Sequence, residues 1–304
     1  MGSPGFAVPS LEYLVAEGYE LAAVYTQPDR AGGRGRKLTV SPVKAAALAH
    51  DLRVVQPEKL KDPAAFAELA AFKPDIIVVA AFGQLLPKAV LELPRLGCLN
   101  VHPSLLPRFR GASPVAAAIL AGDVFSGVSI MLLDAGMDTG PVFSRAQIAV
   151  ADSDTTASLG AKLSLIGAAL LGEVMAAWGR GEIKPRPQPD AGATYCQPIG
   201  KEAGEIDWKL PALEIWRRGR AFYPWPGAYS RWRGKTLKVI EAAPLAALKP
   251  AKPGEVVPLD AGFGIGSGDG ILNVLRVQLE GKQALSAADF IRGQRDFIGA
   301  LLPS

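Results

Sequence analysis

The sequence predicts an α/β half followed by a β-rich half. Three observations carry this. Apolar runs of strand length alternate with helical patterns across residues 7–150. A proline-rich run, Lys184-Pro-Arg-Pro-Gln-Pro189, then interrupts the chain. Beyond it strand signals shorten and turns crowd together, with the hairpin signal Asp269-Gly270 among them. The length of 304 residues favours two domains. We place them at 1–183 and 201–304, with 184–200 as a linker.

The elements follow in order. Val8 to Ala16 has Leu11, Leu14 and Val15 at helical spacing. Leu21–Tyr25 is a short apolar strand. Val43–Ala49 is Ala-rich and helical, and Leu52–Val55 is a strand. Ala64–Phe72 is helical and ends before Pro74. Ile76–Ala80, Leu96–Val101 and Gly127–Leu133 are continuous apolar strands, the pattern of strands buried on both faces. This alternation predicts a largely parallel sheet covered by helices. In the second half, Arg231–Ile240 and Ile271–Leu275 are strands, and Leu213–Phe222 is a helix feeding a small barrel or sandwich. The start is unusual. Gly2-Ser-Pro-Gly5 resembles the loop after a first strand, yet no strand precedes it. Either the fold begins with a helix or the chain is written short.

Composition narrows the function. Apolar residues are 49% and charged residues 20%, which excludes a disordered chain. The net charge of +4, from 33 Lys+Arg and 29 Asp+Glu, is too mild for a purely electrostatic nucleic-acid binder. Cys98 and Cys196 are too few for a disulfide framework. A zinc site would need both of them with both histidines, His50 and His102, from four scattered places, so no metal is expected. There is no signal-peptide pattern and no run of about 20 apolar residues. We expect a cytoplasmic protein of a reducing compartment, off the membrane, with His50 on the surface.

The chemistry concentrates in two clusters. In Asn100-Val-His102-Pro, the amide and imidazole are two residues apart and share one strand face. A strand's carboxyl end is where open α/β sheets bind ligands. An amide can hold an oxyanion there and an imidazole can move a proton, although Asn-x-His also serves ordinary turns. Asp134-Ala-Gly-Met-Asp138-Thr-Gly140 follows the strand 127–133 and is read as facing the same crevice; acidic glycine-rich loops also cap turns. Gly83-Gln-Leu-Leu-Pro87 would form a third wall, of the kind that lines a cofactor pocket. Five basic residues without an acid, Arg30, Arg34, Arg36, Lys37 and Lys44, suit a phosphate backbone or a solvated loop. Residues 201–238 hold nine basic residues with Trp208, Trp216, Trp225 and Trp232 interleaved. That mixture can bind nucleic acid, but core is the expected place for the tryptophans.

Together these stretches resemble the 10-formyltetrahydrofolate-dependent formyltransferases, and within them the methionyl-tRNA formyltransferases. The likeness runs through Gly5–Leu11, Gln27–Arg30, Ser41–Lys44, Gln56–Leu60, Asn100–Gly111, Gly127–Met131, Met137–Gly140, Gly204–Trp208 and Arg220–Ala228. It implies a Rossmann-like doubly wound sheet followed by a small C-terminal OB-like β-barrel. It implies transfer of formyl from 10-formyltetrahydrofolate to the α-amino group of methionine on initiator Met-tRNA, in translation initiation, by a chain expected to be a monomer. By motif position Asn100, His102 and Asp138 would be catalytic. Phe82, Gly83, Gln84, Leu85, Ser104, Leu105, Leu106, Pro107 and Asp134 would line the folate site. The loop with Arg30, Arg34, Arg36, Lys37 and Lys44 would meet the tRNA. The resemblance also implies a strand before Gly2, hence a start upstream of Met1.

For that chemistry Asn100 is expected to donate to the oxyanion. His102 either donates to it or relays the amine proton, directly or through a water. Asp138 is expected to favour protonated His102. A formyltransferase for a nucleotide-sugar amine or a glycinamide ribotide, a formyl-folate hydrolase, and an inactive RNA-binding relative are the competing readings. The basic loop and second domain argue against the first, and the intact trio against the last.

Overall fold

A computed structural model describes residues 1–32, 37–246 and 251–303. The chain forms two compact units. The first comprises Met1–Pro114, Phe125–Ala149 and Ser158–Gln197. The second comprises Val115–Val124, Val150–Ala157 and Pro198–Ser304.

The first unit is α/β. Its opening helix, Val8–Ala16, carries Pro9 in the first turn, where no backbone N–H is needed. Helix Pro42–Ala49 is capped by Ser41, whose Oγ accepts from the Lys44 amide at 3.2 Å. Strand Ile77–Val79 pairs in parallel with Cys98–His102. The expectation of a largely parallel sheet is corrected here. Phe125–Leu132 pairs antiparallel with Cys98–His102, and Val142–Ala149 returns antiparallel beside it. A continuous apolar run reports burial on both faces, but it reads the same in either chain direction.

Helix Thr156–Gly179, which the sequence reading passed over, covers this sheet. At Gly167 an added Cβ would come within 2.7 Å of the Val101 side chain and 3.2 Å of Val128, so helix and strands pack at backbone distance. The helix also corrects the statement about membrane-length runs. Its 24 residues are long and apolar enough to cross a membrane by length and composition. However, 56% of its most apolar stretch is buried, and Leu159, Leu163 and Leu171 are core residues.

Met1 and Gly2 occupy the place where a strand was expected. The Gly2 amide donates to the Tyr25 carbonyl at 3.0 Å, and Gly2 bridges Ala80 in parallel. The Met1 ammonium donates to the Val78 carbonyl at 2.7 Å. Those contacts alone connect the Val24–Tyr25/Val54–Val55 pair to the four-stranded sheet among the described ladders. A cavity of about 510 Å³ lies at this seam, lined by Met1, Ser10, Tyr25, Ile77, Leu96 and Met175 among others.

The proline-rich run behaves differently from a free linker. Arg186 exchanges both backbone hydrogen bonds with Val142, and Tyr195–Cys196 forms a parallel pair with Arg110–Gly111. Residues 184–197 therefore pack on the first unit.

The second unit is built on a six-stranded antiparallel sheet. Ala228–Trp232, Lys235–Leu245, Ile271–Leu279, Gly262–Gly266 and Val256–Leu259 are neighbours in that order, and Ala284–Ser286 pairs with Ile271–Leu279. Among the described residues no ladder joins the ends, so the expected barrel is not a closed one. Inside, Phe297 meets Trp232, Phe263 and Phe290 edge-to-face at centroid distances of 4.9, 5.0 and 5.1 Å. Trp208 and Trp232 are core residues and Trp216 packs against them; Trp225 is the departure, at 60% exposed.

Candidate active site

Strand Cys98–His102 is buried along its whole length, and its period of two aims Asn100 and His102 to one face. Pro103 then turns the chain. The loop after Leu132 begins at the other end of this strand, because the two strands are antiparallel. It reaches Asn100 and His102 by folding back along the strand. Gly140 permits the return: an added Cβ would stand 1.9 Å from the Leu132 carbonyl oxygen. Asp138 itself takes a left-handed backbone conformation, with φ at 52°.

The loop delivers the Asp138 carboxylate into the cluster. Its Oδ1 accepts from Asn100 Nδ2 at 3.5 Å, and Oδ2 accepts from the Gly111 amide at 2.8 Å. Oδ2 also lies 3.6 Å from His102 Nδ1. On the other side of the ring, His102 Nε2 is 3.0 Å from the Phe109 carbonyl oxygen. A carbonyl only accepts, so Nε2 carries the hydrogen and Nδ1 is the basic nitrogen of the neutral ring.

His102 is 3% exposed. Burial holds its pKa below the ordinary histidine value, while Asp138 and the Phe109 carbonyl pull it up. The expected influence of Asp138 is therefore present but smaller than desolvation. The ring is neutral at neutral pH, with its lone pair on the Asp138 side. That is the state needed to accept a proton, and the new charge would form beside a carboxylate.

The remaining expected residues fall into groups. Ser104 is buried; its hydroxyl donates to the Arg108 carbonyl at 2.6 Å. Leu106 is a core residue beside Met131 and Val142, while Leu105 and Pro107 are half-buried. Phe82 is in the core, and Gln84 is bonded to the backbone of Leu60 and Pro57. Gly83 is exposed and Leu85 is 86% exposed. Asp134 uses its carboxylate within its own loop, accepting from the Gly136 amide and the Thr139 hydroxyl. Of the basic loop, Arg34 and Arg36 lie outside the described residues. The backbones of Arg30 and Lys37 belong to the two-stranded hairpin Arg30–Gly32/Lys37–Thr39. Lys44 is turned inward: its ammonium donates to Asp29 at 2.5 Å and Gln56 at 2.6 Å. His50 is on the surface, 2.7 Å from Glu12.

The sequence reading missed the second half of the site. Phe109 orients His102, and Gly111 holds Asp138. Thr194 Oγ1 accepts from the Phe109 amide at 2.8 Å. Gln188 and Arg110 complete the frame. No side-chain spacing signals these partners: Phe109 and Gly111 act through backbone groups, and Gln188 and Thr194 come from a run that reads as a linker.

Comparison with known proteins shows the family. A formyl transferase family model matches residues 5–175, and a formyl transferase C-terminal domain model matches residues 198–295. A methionyl-tRNA formyltransferase of Dehalococcoides mccartyi is 52% identical, over 99% of this chain and 97% of its own length. One of Chloroflexus aurantiacus is 47% identical over 96% and 95%. Among solved structures, WlaRD, a sugar 3N-formyl transferase, superposes with a TM-score of 0.66 at 20% identity, covering 93% of this chain and 97% of its own. HypX of Aquifex aeolicus, solved with tetrahydrofolic acid, has a TM-score of 0.60 at 23% identity, covering 83% of this chain and 44% of its own. The chain belongs to the formyl transferase family, with the methionyl-tRNA formyltransferases as its group within it.

Proposed function

We propose that this chain transfers the formyl group of 10-formyltetrahydrofolate to the α-amino group of methionine on initiator Met-tRNA. The observation that carries the chemistry is the buried neutral His102, its Nδ1 facing Asp138 with the Asn100 amide alongside. The relatives' near-complete alignment supports the acceptor.

The co-substrate supplies the formyl carbon. The chain's own residues supply the rest. As the amine nitrogen bonds to that carbon, its oxygen gains negative charge. Among the described residues Asn100 Nδ2 has the long 3.5 Å contact to Asp138, so it can turn to that oxygen. Such a donor lowers a barrier by about 3–4 kcal/mol. His102 Nδ1 takes the amine proton, and Asp138 at 3.6 Å stabilises the imidazolium. The proton then passes to the departing folate nitrogen as the carbon–nitrogen bond breaks.

Exposed Leu85 and Gly83, with half-buried Leu105 and Pro107, are the residues of the expected folate wall available to a flat ring. Phe82, Gln84, Ser104 and Leu106 support those loops from behind, while the exposed Asp134 has its carboxylate engaged within its own loop. Arg30, Arg34, Arg36 and Lys37 would meet tRNA phosphates, and the β-rich second unit would act as an OB-like RNA-binding domain.

The test is formyl transfer followed with 10-formyltetrahydrofolate and either Met-tRNA or a nucleotide-sugar amine. Formyl-Met-tRNA is expected. Transfer only to the sugar, or retention of tRNA without turnover, overturns the reading. Replacing Arg34, Arg36 and Lys37 together by alanine should raise KM for tRNA roughly tenfold, spare kcat and flatten the salt dependence of binding. Unchanged tRNA affinity removes the loop from the interface.

A further inference from the structure

The structure assigns Gln188 and Arg110 as a positioning pair that sets the Asp138 carboxylate against His102. The assignment rests on the reading of His102 and Asp138 as the proton-transfer pair.

One planar amide makes three contacts here. Gln188 Nε2 donates to the Asp138 carbonyl at 2.8 Å and to the Gly140 carbonyl at 2.7 Å. Its Oε1 accepts from Arg110 Nε at 3.0 Å. Both amide hydrogens and the oxygen are therefore engaged, and the two carbonyls flank Thr139. They clamp the turn in which Asp138 holds its left-handed conformation, a backbone state that persists only when the surroundings over-determine it. Arg110 is 3% exposed and donates also to the Tyr195 hydroxyl at 3.1 Å. A buried guanidinium is held by its partners, so Gln188 is itself oriented.

The same pair touches the histidine side. Arg110 lies between Phe109, whose carbonyl accepts from His102, and Gly111, whose amide donates to Asp138. Tyr195 and Cys196 pair in register with Arg110 and Gly111. The segment 188–196 therefore fixes the carbonyl that chooses the His102 tautomer and the turn that aims Asp138. Neither Gln188 nor Arg110 touches the reacting atoms by any contact described. Around the His102 ring, Asp138 is the charged group in contact; Arg110 and the Cys196 thiol stand behind the Phe109–Gly111 backbone.

A residue that only filled space would tolerate an isosteric change. Glu has the size of Gln but would set carboxylate oxygens against two carbonyls. The experiment compares Gln188→Glu and Gln188→Leu with wild type, alone and in an Asp138→Asn background, with His102→Ala alongside. Each is measured for kcat, KM and the pH dependence of kcat/KM. We expect both Gln188 variants to lose 10- to 100-fold in kcat, with KM changed less than threefold. The acid limb should move to lower pH, because Asp138 no longer supports the imidazolium. In the Asp138→Asn background the same changes should have less than a threefold effect. Wild-type kcat and pH profile in either folded Gln188 variant overturn the assignment, as does an equal loss in both backgrounds. If Gln188→Leu does not fold, Gln188→Glu decides by itself. A fully active His102→Ala overturns the parent reading instead, whatever the Gln188 variants do.

Discussion

Two ends of one α/β unit treat buried polar groups in opposite ways. Around Asn100, His102 and Asp138 the polar groups are tied to one another and to the backbone: His102 Nε2 has the Phe109 carbonyl, and the Asp138 carboxylate has Asn100 and Gly111, with His102 Nδ1 3.6 Å away as the site that takes a proton. At the seam by Met1 a cavity of about 510 Å³ is lined by groups that are less well matched. Beside it Ser10 Oγ and Tyr25 OH are buried with no hydrogen-bond partner among the described residues. The contrast separates a polar site built for a purpose from a seam that merely bears the consequence of burial. In the first, low dielectric strengthens paired groups; in the second it penalises unpaired ones.

The sharpest way to break this comparison is to remove the imidazole. His102→Ala should lower kcat by about 10²–10⁴-fold with little change in KM for tRNA, the range for a positioned acid–base group. A kcat within tenfold of wild type shows that the partnered cluster is structural. Asp138→Asn is the companion. It should cost roughly 100-fold in kcat and shift the acid limb of kcat/KM downward, since the carboxylate opposes desolvation at His102. An upward shift contradicts the electrostatics given for the ring.

Much of this was legible in the sequence, and the rest failed for physical reasons. Val8–Ala16 falls where its spacing places it, because three apolar residues on one helix face leave no other burial. Asn100, His102 and Asp138 come together as read, although the expected parallel strand is antiparallel and the loop arrives from the other end. Strand direction is not written in a run buried on both faces. Gln188 was invisible for a different reason. A proline-rich run carries no periodic pattern, and the value of Gln188 lies in side-chain contacts with residues about 50–80 positions earlier, such as Arg110 and the Asp138 carbonyl. Lys44 shows the converse. Its charge reads as a phosphate contact, yet Asp29 and Gln56 hold it inside.

The finest test sets one hydroxyl from each region against the other. Ser129 is fully buried; its hydroxyl donates to the Ser104 carbonyl at 2.7 Å and accepts from the Leu106 amide at 3.1 Å. Ser129→Ala leaves both backbone groups buried without that partner, which costs about 1–3 kcal/mol. Arg145 still donates to the Leu106 carbonyl, so the turn retains one anchor and the protein should fold. Tyr25 is 2% exposed and its hydroxyl has no described partner. Tyr25→Phe removes a desolvated polar atom and strands nothing, so stability should be unchanged or rise by up to about 1 kcal/mol. Urea midpoints at one pH compare the two. If Tyr25→Phe destabilises as much as Ser129→Ala, the Tyr25 hydroxyl is hydrogen-bonded after all, and the seam is as well satisfied as the site.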